Sequence, residues 1–235
     1  MIKNIFNIPP AGQPEVTPSA DIVAPGGFAA ILARAGVGKT ALLVQIAINS
    51  MLRGKNVLHI STADPVDKVG LWYREMFQRL NQEHTALEIN KNRDQLLRHR
   101  FIMTFETESF SIAKLKKRVD ELISQDIFTP ALIIIDDFSF DAVSEEDLAD
   151  LKAFVEHNGL AFWFTIRTHR DEPAGDMKIP TRLAPMARWF DLIFRLEPDN
   201  DRIYVRQIFT GENAGDNADI LFLDPSTLLI RDMAG

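Results

Sequence analysis

The strongest constraint on the fold of this chain is a glycine-containing loop between an apolar run and a segment with helical spacing. The loop spans residues 33–40 and reads Ala-Arg-Ala-Gly-Val-Gly-Lys-Thr, with apolar residues at 28–32 before it and at helical spacing after it. This order fits the pattern G-x-x-x-x-G-K-[ST] at every defined position except the first, where Ala33 replaces glycine. A strand, such a loop and a helix in succession predict a phosphate-binding P-loop, because backbone N–H groups and the helix N-terminus accept phosphate oxygens.

Residues 33–40, called the glycine loop below, contain residue types with distinct predicted roles. Gly36 and Gly38 keep side chains away from the phosphates. Lys39 reaches the β- and γ-phosphates and is a catalytic candidate, and the Thr40 hydroxyl is a ligand for Mg²⁺. Alanine at position 33 costs on the order of 1 kcal/mol if that position requires a positive φ. The expected ligand is ATP or ADP with Mg²⁺, and the residues expected to hold it are Arg34, Ala35, Gly36, Val37, Gly38, Lys39, Thr40 and Ala41.

A second candidate for metal binding lies further along the chain. Residues 131–135 read Ala-Leu-Ile-Ile-Ile, and the run ends in Asp136 and Asp137. An aliphatic strand that ends in an acid is the Walker B pattern, in which the carboxylate holds Mg²⁺ through water. Any buried strand can end in aspartate, so the run becomes good evidence only together with the glycine loop. Asp136 is the predicted metal residue, and Asp137 either caps the next segment or orients water.

Strand-like and helix-like segments alternate through most of the chain. We predict strands at 28–32, 57–61, 100–105, 131–136 and 160–166, and helices at 40–52, after Pro65, at 112–123 and between an N-cap at Ser144 and Gly159. This alternation predicts an α/β fold with a mainly parallel central sheet covered by helices on both faces. Short strands at 192–196, 203–209, 220–223 and 228–231 predict antiparallel C-terminal hairpins that extend the sheet edge. Residues 1–25, with five prolines, are expected to form an extended arm, and residues 26–235 a nucleotide-binding domain.

The composition narrows the functional classes. The chain has no cysteine, which excludes disulfides, thiolate metal sites and cysteine nucleophiles. Its formal net charge of -7 argues mildly against a general nucleic-acid coat, which needs clustered lysine and arginine. No apolar run approaches the length of a membrane span and no secretory segment opens the sequence. We therefore expect a cytoplasmic location and no membrane partner.

Beyond the glycine loop, the order of motifs resembles that of the RecA-like ATPases, especially the branch with DnaB-type helicases, RepA-like helicases and KaiC. Residues 25–40 resemble the family's first strand and P-loop, residues 57–65 its second strand, and residues 203–232 its closing strands. The likeness thus covers nearly the whole chain after the predicted arm. It implies a RecA-like P-loop fold, ATP and Mg²⁺ as ligands, and assembly into a homo-oligomer or with a protein partner.

Several positions depart from the family pattern, and they bear on catalysis. Where the family carries a glutamate that activates water, this chain has Ala63 followed by Asp64, one residue out of register. Arg167 stands where the family usually has a polar γ-phosphate sensor. Arg206 matches the first of the basic residues that act on a neighbour's nucleotide, but the second position is Ile208. The missing glutamate and the retention of only one of the two basic residues predict slow or absent ATP hydrolysis.

Three functions remain open. The favoured one is a nucleotide-dependent switch or slow regulatory ATPase that acts through oligomerisation or a protein partner. The alternative is a DNA-dependent ATPase, helicase-like or recombination accessory protein, which would contact DNA through the basic residues of 91–100 and 114–118. Solvated helix faces explain these basic residues better. The loop at 170–185, where RecA-like proteins bind DNA, has no excess of positive charge. A small-molecule kinase needs an arginine-rich lid, for which the candidates are Arg167, Arg170, Arg182 and Arg188.

Overall fold

The fold is known from a computed structural model, which describes residues 23–83, 89–106, 110–140, 143–168, 179–181, 183–210, 213–214 and 219–232. The helices are α1 (Lys39–Leu52), α2 (Val66–Glu83), α3 (Ile89–Leu97), α4 (Ile112–Ser124) and α5 (Glu145–His157), with a 3₁₀ helix at Ala184–Trp189. The strands are β1 (Phe28–Ala33), β2 (Val57–Ser61), β3 (Arg100–Thr104), β4 (Leu132–Asp136), β5 (Ala161–Arg167), β6 (Leu192–Asp199), β7 (Arg202–Thr210), β8 (Asn213–Ala214), β9 (Asp219–Leu223) and β10 (Ile230–Asp232). Most of the predicted arm, residues 1–22, lies outside the described residues, whereas Val23 is already buried in the core.

The strands form one ten-stranded sheet. Their order is β10-β9-β7-β6-β1-β5-β4-β2-β3, and β8 pairs with β7. Neighbouring strands are parallel from β6 to β3, and antiparallel between β6, β7, β9 and β10. The predicted α/β class, the mainly parallel sheet and the antiparallel closing strands are confirmed.

Helices cover both faces of this sheet. Side chains of α1, α2 and α3 pack on one face, and those of α4, α5 and the 3₁₀ helix pack on the other. Central strands between two covered faces need apolar residues at successive positions, which explains why β1 and β4 are buried throughout. Among the described residues, no helix has the length and apolarity that crossing a membrane requires.

Two elements differ from the prediction. The sequence predicts β6 only as part of antiparallel hairpins, but β6 also pairs in parallel with β1. Apolar patterning does not encode strand direction; that direction depends on how the chain returns to the opposite edge of the sheet before β6 begins. Helix α3 is not among the predicted helices; of its side chains that the structure describes, only Leu96 is buried.

The closing strands pack against the helix that follows the glycine loop. The buried Gln45 of α1 donates from Nε2 to the Leu228 carbonyl at 2.9 Å and accepts at Oε1 from the Ile230 N–H at 3.0 Å. A Cβ atom placed on Gly38 would lie 3.2 Å from Leu223 Cδ1 and 3.7 Å from Leu228 Cδ2. The C-terminal strands therefore form one wall of the glycine loop.

A buried polar cluster lies between α2 and the sheet. His59 Nδ1 and Tyr73 Oη are 3.0 Å apart, and the Arg100 guanidinium lies over the Tyr73 ring at 4.5 Å from its centroid. Burial, helped by the positive charge of Arg100, lowers the pKa of His59 to about 3. The contact with Tyr73 satisfies Nδ1 of His59, whereas Nε2 is buried without a hydrogen-bond partner among the described residues.

The neutral His59 makes stability depend on pH. The unfolded chain takes up a proton at this residue below about pH 6.5, whereas the folded chain takes it up only near pH 3, so stability falls as the pH drops through that window. At pH 5 we expect a loss of about 2 kcal/mol relative to pH 7 from this residue. Denaturant unfolding between pH 5 and 7 should show a smaller pH slope for His59→Gln, while the exposed His157→Gln leaves the slope unchanged. An unchanged slope for His59→Gln would contradict this account.

Candidate functional site

The candidate residues meet at one edge of the sheet. The parallel strands β1, β2, β4 and β5 all end there, with Ala33 aligned with Arg167 and Ser61 aligned with Asp136. The glycine loop follows β1 and Asp136 ends β4, and only β5 lies between these two strands in the sheet. The carboxyl edge of a parallel sheet is where open α/β folds bind ligands.

The glycine loop joins β1 to α1 through two glycines in the left-handed region. Gly36 has a φ of 76° and Gly38 a φ of 108°, and Gly38 is the N-cap of α1. Residues other than glycine rarely adopt this backbone conformation, so the shape of the loop explains why both positions are glycine. Arg34, Ala35 and Gly36 are exposed, which leaves the first half of the loop open to a ligand.

Ala33 occupies the motif position at which glycine is absent. It is the last residue of β1 and is 2% exposed. Its φ is not positive. The strain considered for alanine at this position therefore does not arise, and the departure from the motif leaves the backbone of the loop unaffected.

Lys39 folds back onto the loop that precedes it. Its Nζ donates to the carbonyl oxygens of Ala33 at 3.2 Å and Arg34 at 3.1 Å, and the residue is 8% exposed. Burial lowers the pKa of the Lys39 ammonium, while the carboxylates of Asp137 and Asp136 raise it. A buried ammonium that donates to two neutral carbonyls is a favourable partner for an incoming anion, because opposite charges attract each other strongly where water is excluded.

Asp136 connects α1 to β5. Thr40 Oγ1 donates to Asp136 Oδ2 at 2.7 Å, and Thr165 Oγ1 donates to Asp136 Oδ1 at 2.5 Å. The backbone N–H of Asp137 donates to Thr165 Oγ1 at 2.7 Å, which fixes the direction of the Thr165 hydroxyl. Both oxygens of the Asp136 carboxylate are thus oriented by hydroxyl groups.

These residues fit a Mg²⁺ ion. Thr40 and Asp136 supply a hydroxyl and a carboxylate oxygen, the hard donors that Mg²⁺ prefers, and the two oxygens already lie within hydrogen-bonding distance of each other. Magnesium commonly uses one or two protein ligands together with water and substrate phosphates. The donor set therefore suits the ion in the presence of a phosphate ligand.

Asp137 and Arg167 form an ion pair beside this site. Arg167 Nη2 lies 2.6 Å from Asp137 Oδ2, and the side chains are 52% and 26% exposed. Asp137 has a φ of 57°, which is uncommon for a residue with a side chain. Thr62 Oγ1 donates to the Asp137 carbonyl at 3.1 Å and so holds this turn to the end of β2.

The remaining catalytic candidates have other partners. Asp64 accepts from Lys68 Nζ at 2.7 Å, and its backbone N–H donates to Ser61 Oγ at 2.8 Å. Arg206 lies on β7, which is separated from β1 by β6, and its Nε is 2.8 Å from Glu197 Oε2. The structure thus brings Lys39, Thr40, Asp136 and Arg167 together, and it places Asp64 and Arg206 in separate ion pairs.

Comparisons of this chain with protein-family models and with curated proteins find no match. What the site can bind therefore has to follow from its own residues.

Some residues of the site are not predicted from the sequence. Thr165 donates a hydrogen bond to Asp136, and Gln45 forms hydrogen bonds with the segment between the closing strands. Leu223 and Leu228 pack beside the glycine loop. Thr165 does leave a signal, since it is the single hydroxyl in the otherwise apolar run Phe-Trp-Phe-Thr-Ile at 162–166. The other contacts join distant parts of the chain and leave no local pattern.

Proposed function

We propose that this protein binds ATP and Mg²⁺ through the glycine loop, as a RecA-like P-loop protein that acts as a nucleotide-dependent switch or slow regulatory ATPase. The observation that carries the proposal is the 2.7 Å hydrogen bond between Thr40 Oγ1 and Asp136 Oδ2. It unites the two predicted metal residues from distant parts of the chain, beside the buried Lys39. A hydroxyl, a carboxylate and a lysine at a strand–loop–helix junction form the usual donor set for a magnesium nucleotide.

Each group in the site has a separate task in this proposal. The loop around Gly36 and Gly38 gives the phosphates close access to the backbone, and the N-terminus of α1 attracts their negative charge. Lys39 exchanges its two carbonyl partners for phosphate oxygens. Thr40 and Asp136 hold Mg²⁺, which when bound neutralises charge on the β- and γ-phosphates.

The surroundings of Asp64 support slow hydrolysis. A general base has to lie within hydrogen-bond reach of the water that it activates. Asp64 instead pairs with Lys68, and Ala63, which precedes it, has no group that accepts a proton. Neither residue at the position of the family's glutamate is therefore free to act as a base in the arrangement seen here, which supports slow turnover.

The RecA-like setting and the partners remain part of the proposal. The antiparallel closing strands agree with the hairpins that the family resemblance implies. The family resemblance assigns Arg206, which pairs with Glu197 within the chain, to the nucleotide of a neighbouring copy. We therefore favour a homo-oligomer or a protein partner as the means by which the nucleotide state is transmitted.

The alternative functions have less support. Among the described basic residues, Lys116 pairs with Asp150 at 2.6 Å and Arg118 with Glu121 at 2.7 Å, which reduces the charge available to a nucleic-acid backbone. For the kinase hypothesis, Arg188 pairs with Glu145. Two other lid candidates, Arg170 and Arg182, lie outside the described residues.

Phosphate release measured with and without single-stranded DNA distinguishes the nucleotide switch from the DNA-dependent ATPase. With Lys39→Ala as the blank, we expect slow release that DNA does not stimulate, together with retained nucleotide binding by the wild-type protein. Strong stimulation by DNA, weakening steeply with salt, would favour the DNA-dependent ATPase. Fast turnover without DNA that Lys39→Ala abolishes would contradict the proposal of slow hydrolysis.

A further inference from the structure

A cavity of about 240 Å³ lies at the carboxyl edge of the sheet, beside the proposed nucleotide site. It is on the face of the sheet that α4 and α5 cover, and residues at the start of both helices line it together with residues that follow β4. Asp137, which follows the predicted metal residue Asp136, forms part of its wall. None of the described residues of the glycine loop lines this cavity, so it is distinct from the place proposed for the phosphates.

Apolar side chains form a large part of the wall of this cavity. Ile112 and Phe138 are buried in the core, and Phe110 and Val143 are half-buried and pack against it. The rings of Phe110 and Phe138 meet edge to face with 5.5 Å between their centroids, so this wall is already formed. The volume is below the roughly 300–1,000 Å³ of sites for drug-sized ligands, which indicates a ligand with a single ring or a short aliphatic chain.

Two carboxylates give the cavity its charge. Asp137 follows β4, and Asp147 lies in the first turn of α5. Hydrogen bonds from the backbone N–H and the hydroxyl of Ser144 lower the pKa of Asp147, so this side chain is ionised at neutral pH. The lining residues that the structure describes include no lysine, arginine or histidine. The segments next to them in the sequence, 107–109 and 141–142, also contain acids and no basic residue.

Arg167 balances part of this negative charge from outside the cavity. Its Nη2 lies 2.6 Å from Asp137 Oδ2, so it offsets one of the two carboxylates. An ionised carboxylate has about four acceptor positions, so Asp137 can pair with Arg167 and with a second cation. The cavity therefore combines an apolar interior with net negative charge at its wall.

We propose that this cavity, called the amine cavity below, binds a small organic amine whose ammonium contacts Asp137 and Asp147 and whose apolar body packs against Phe110 and Phe138. A protonated amine suits both parts of the wall, because carboxylates attract its charge and the faces of aromatic rings attract cations. A ligand with a carboxylate or phosphate is disfavoured, because both aspartates repel it.

An amine bound in this cavity should strengthen nucleotide binding, and this part of the inference rests on the proposed nucleotide function. Burial lowers the pKa of Lys39 and the Asp137 carboxylate opposes that lowering, so the field of Asp137 reaches the place proposed for the phosphates. A negative charge at this distance repels phosphate, and an ammonium bound to Asp137 offsets the repulsion. The coupling is reciprocal, so nucleotide should raise the affinity for amine by the same factor.

Titration of the full chain with phenethylamine, followed by nuclear magnetic resonance, tests the amine cavity without nucleotide. Phenethyl alcohol and hydrocinnamate carry the same ring with a neutral and an anionic end, so they test the required charge. Asp147→Asn removes one carboxylate and keeps an oxygen that can accept from the Ser144 N–H. Asp150→Asn, on the same helix and outside the cavity, is the matched control. Val143→Phe fills the cavity without changing its charge.

We expect phenethylamine to bind the wild-type protein with a dissociation constant of about 1 mM or lower. The alcohol and the carboxylate should bind at least about tenfold more weakly, and Asp147→Asn should weaken phenethylamine binding by about the same factor. Val143→Phe should remove binding, and Asp150→Asn should leave it unchanged. With phenethylamine at saturation, the affinity for a non-hydrolysable ATP analogue with Mg²⁺ should rise about fivefold. Melting temperatures establish that each variant is folded.

The outcomes separate this inference from the proposed function. Equal binding of phenethylamine and phenethyl alcohol would contradict the ionic contact, and binding that Asp147→Asn and Val143→Phe leave unchanged would contradict the location. An unchanged affinity for the ATP analogue would contradict the coupling. A wild-type protein that binds phenethylamine but no nucleotide would contradict the proposed function and the coupling, and would support the amine cavity. One that binds nucleotide but not phenethylamine would contradict this inference alone.

Discussion

Replacing Lys39 with alanine is expected to lower nucleotide affinity about 100-fold or more while the fold remains intact. Lys39 is 8% exposed and its ammonium donates to two backbone carbonyls, so the site loses the buried cation of the glycine loop. Charged hydrogen bonds contribute about 1.5–3 kcal/mol each, and two phosphates would each lose one.

The fold should tolerate this substitution because the Lys39 ammonium is partly desolvated. Burial lowers the pKa of Lys39, which shows that the charged form is disfavoured there. Thermal unfolding without ligand should therefore show a melting temperature that is unchanged or slightly higher. Lys117→Ala, which removes a 76% exposed lysine of α4, is the control and should leave both binding and melting unchanged. Retained affinity in Lys39→Ala would mean that the glycine loop does not hold the phosphates.

Replacing Thr40 with valine is expected to remove most of the effect of Mg²⁺ on nucleotide affinity. Valine has nearly the same shape as threonine, so the change removes the hydroxyl that donates to Asp136 without opening a large cavity. With Mg²⁺ present we expect the affinity to fall about 10-fold to 100-fold, and with a chelator the variant and the wild type should bind nucleotide equally.

Thr62→Val is the matched control for the Thr40 substitution. Its hydroxyl lies at the same edge of the sheet but donates to backbone carbonyl oxygens of Asp136 and Asp137, and it is not a predicted metal ligand. The Mg²⁺ dependence of this control should therefore resemble that of the wild type. Equal loss in both variants would show that the threonines act through the shape of the Asp136 turn and not through the ion.

The elements with local signals are predicted well from the sequence. The strand predicted at 57–61 matches β2, and the helix after Ser144 begins at a capping box in which Ser144 Oγ accepts from the Asp147 N–H. Gly159, the predicted end of this segment, has a φ of 62°, as a helix-terminating glycine requires. Caps, glycines and apolar periodicity act over a few residues, so they are visible in the sequence.

Features that depend on distant partners are not visible in this way. The parallel pairing of β6 with β1 depends on the path of the connection before β6, and no pattern within β6 reveals it. Arg167 is predicted as a site residue from the family resemblance, but its partner Asp137 follows a different strand, and no local pattern joins the two. The acceptance of alanine at position 33 likewise becomes evident only when β1 is seen to continue through that residue.

Titration of ATP into the wild-type protein, with Mg²⁺ and then with a chelator, tests the central claim most directly. We predict saturable binding of one nucleotide per chain in the micromolar range, which weakens when Mg²⁺ is removed and weakens about 100-fold or more in Lys39→Ala. No binding at millimolar ATP, or binding that is the same in Lys39→Ala and independent of Mg²⁺, would contradict the assignment of the glycine loop, Thr40 and Asp136 as a nucleotide site.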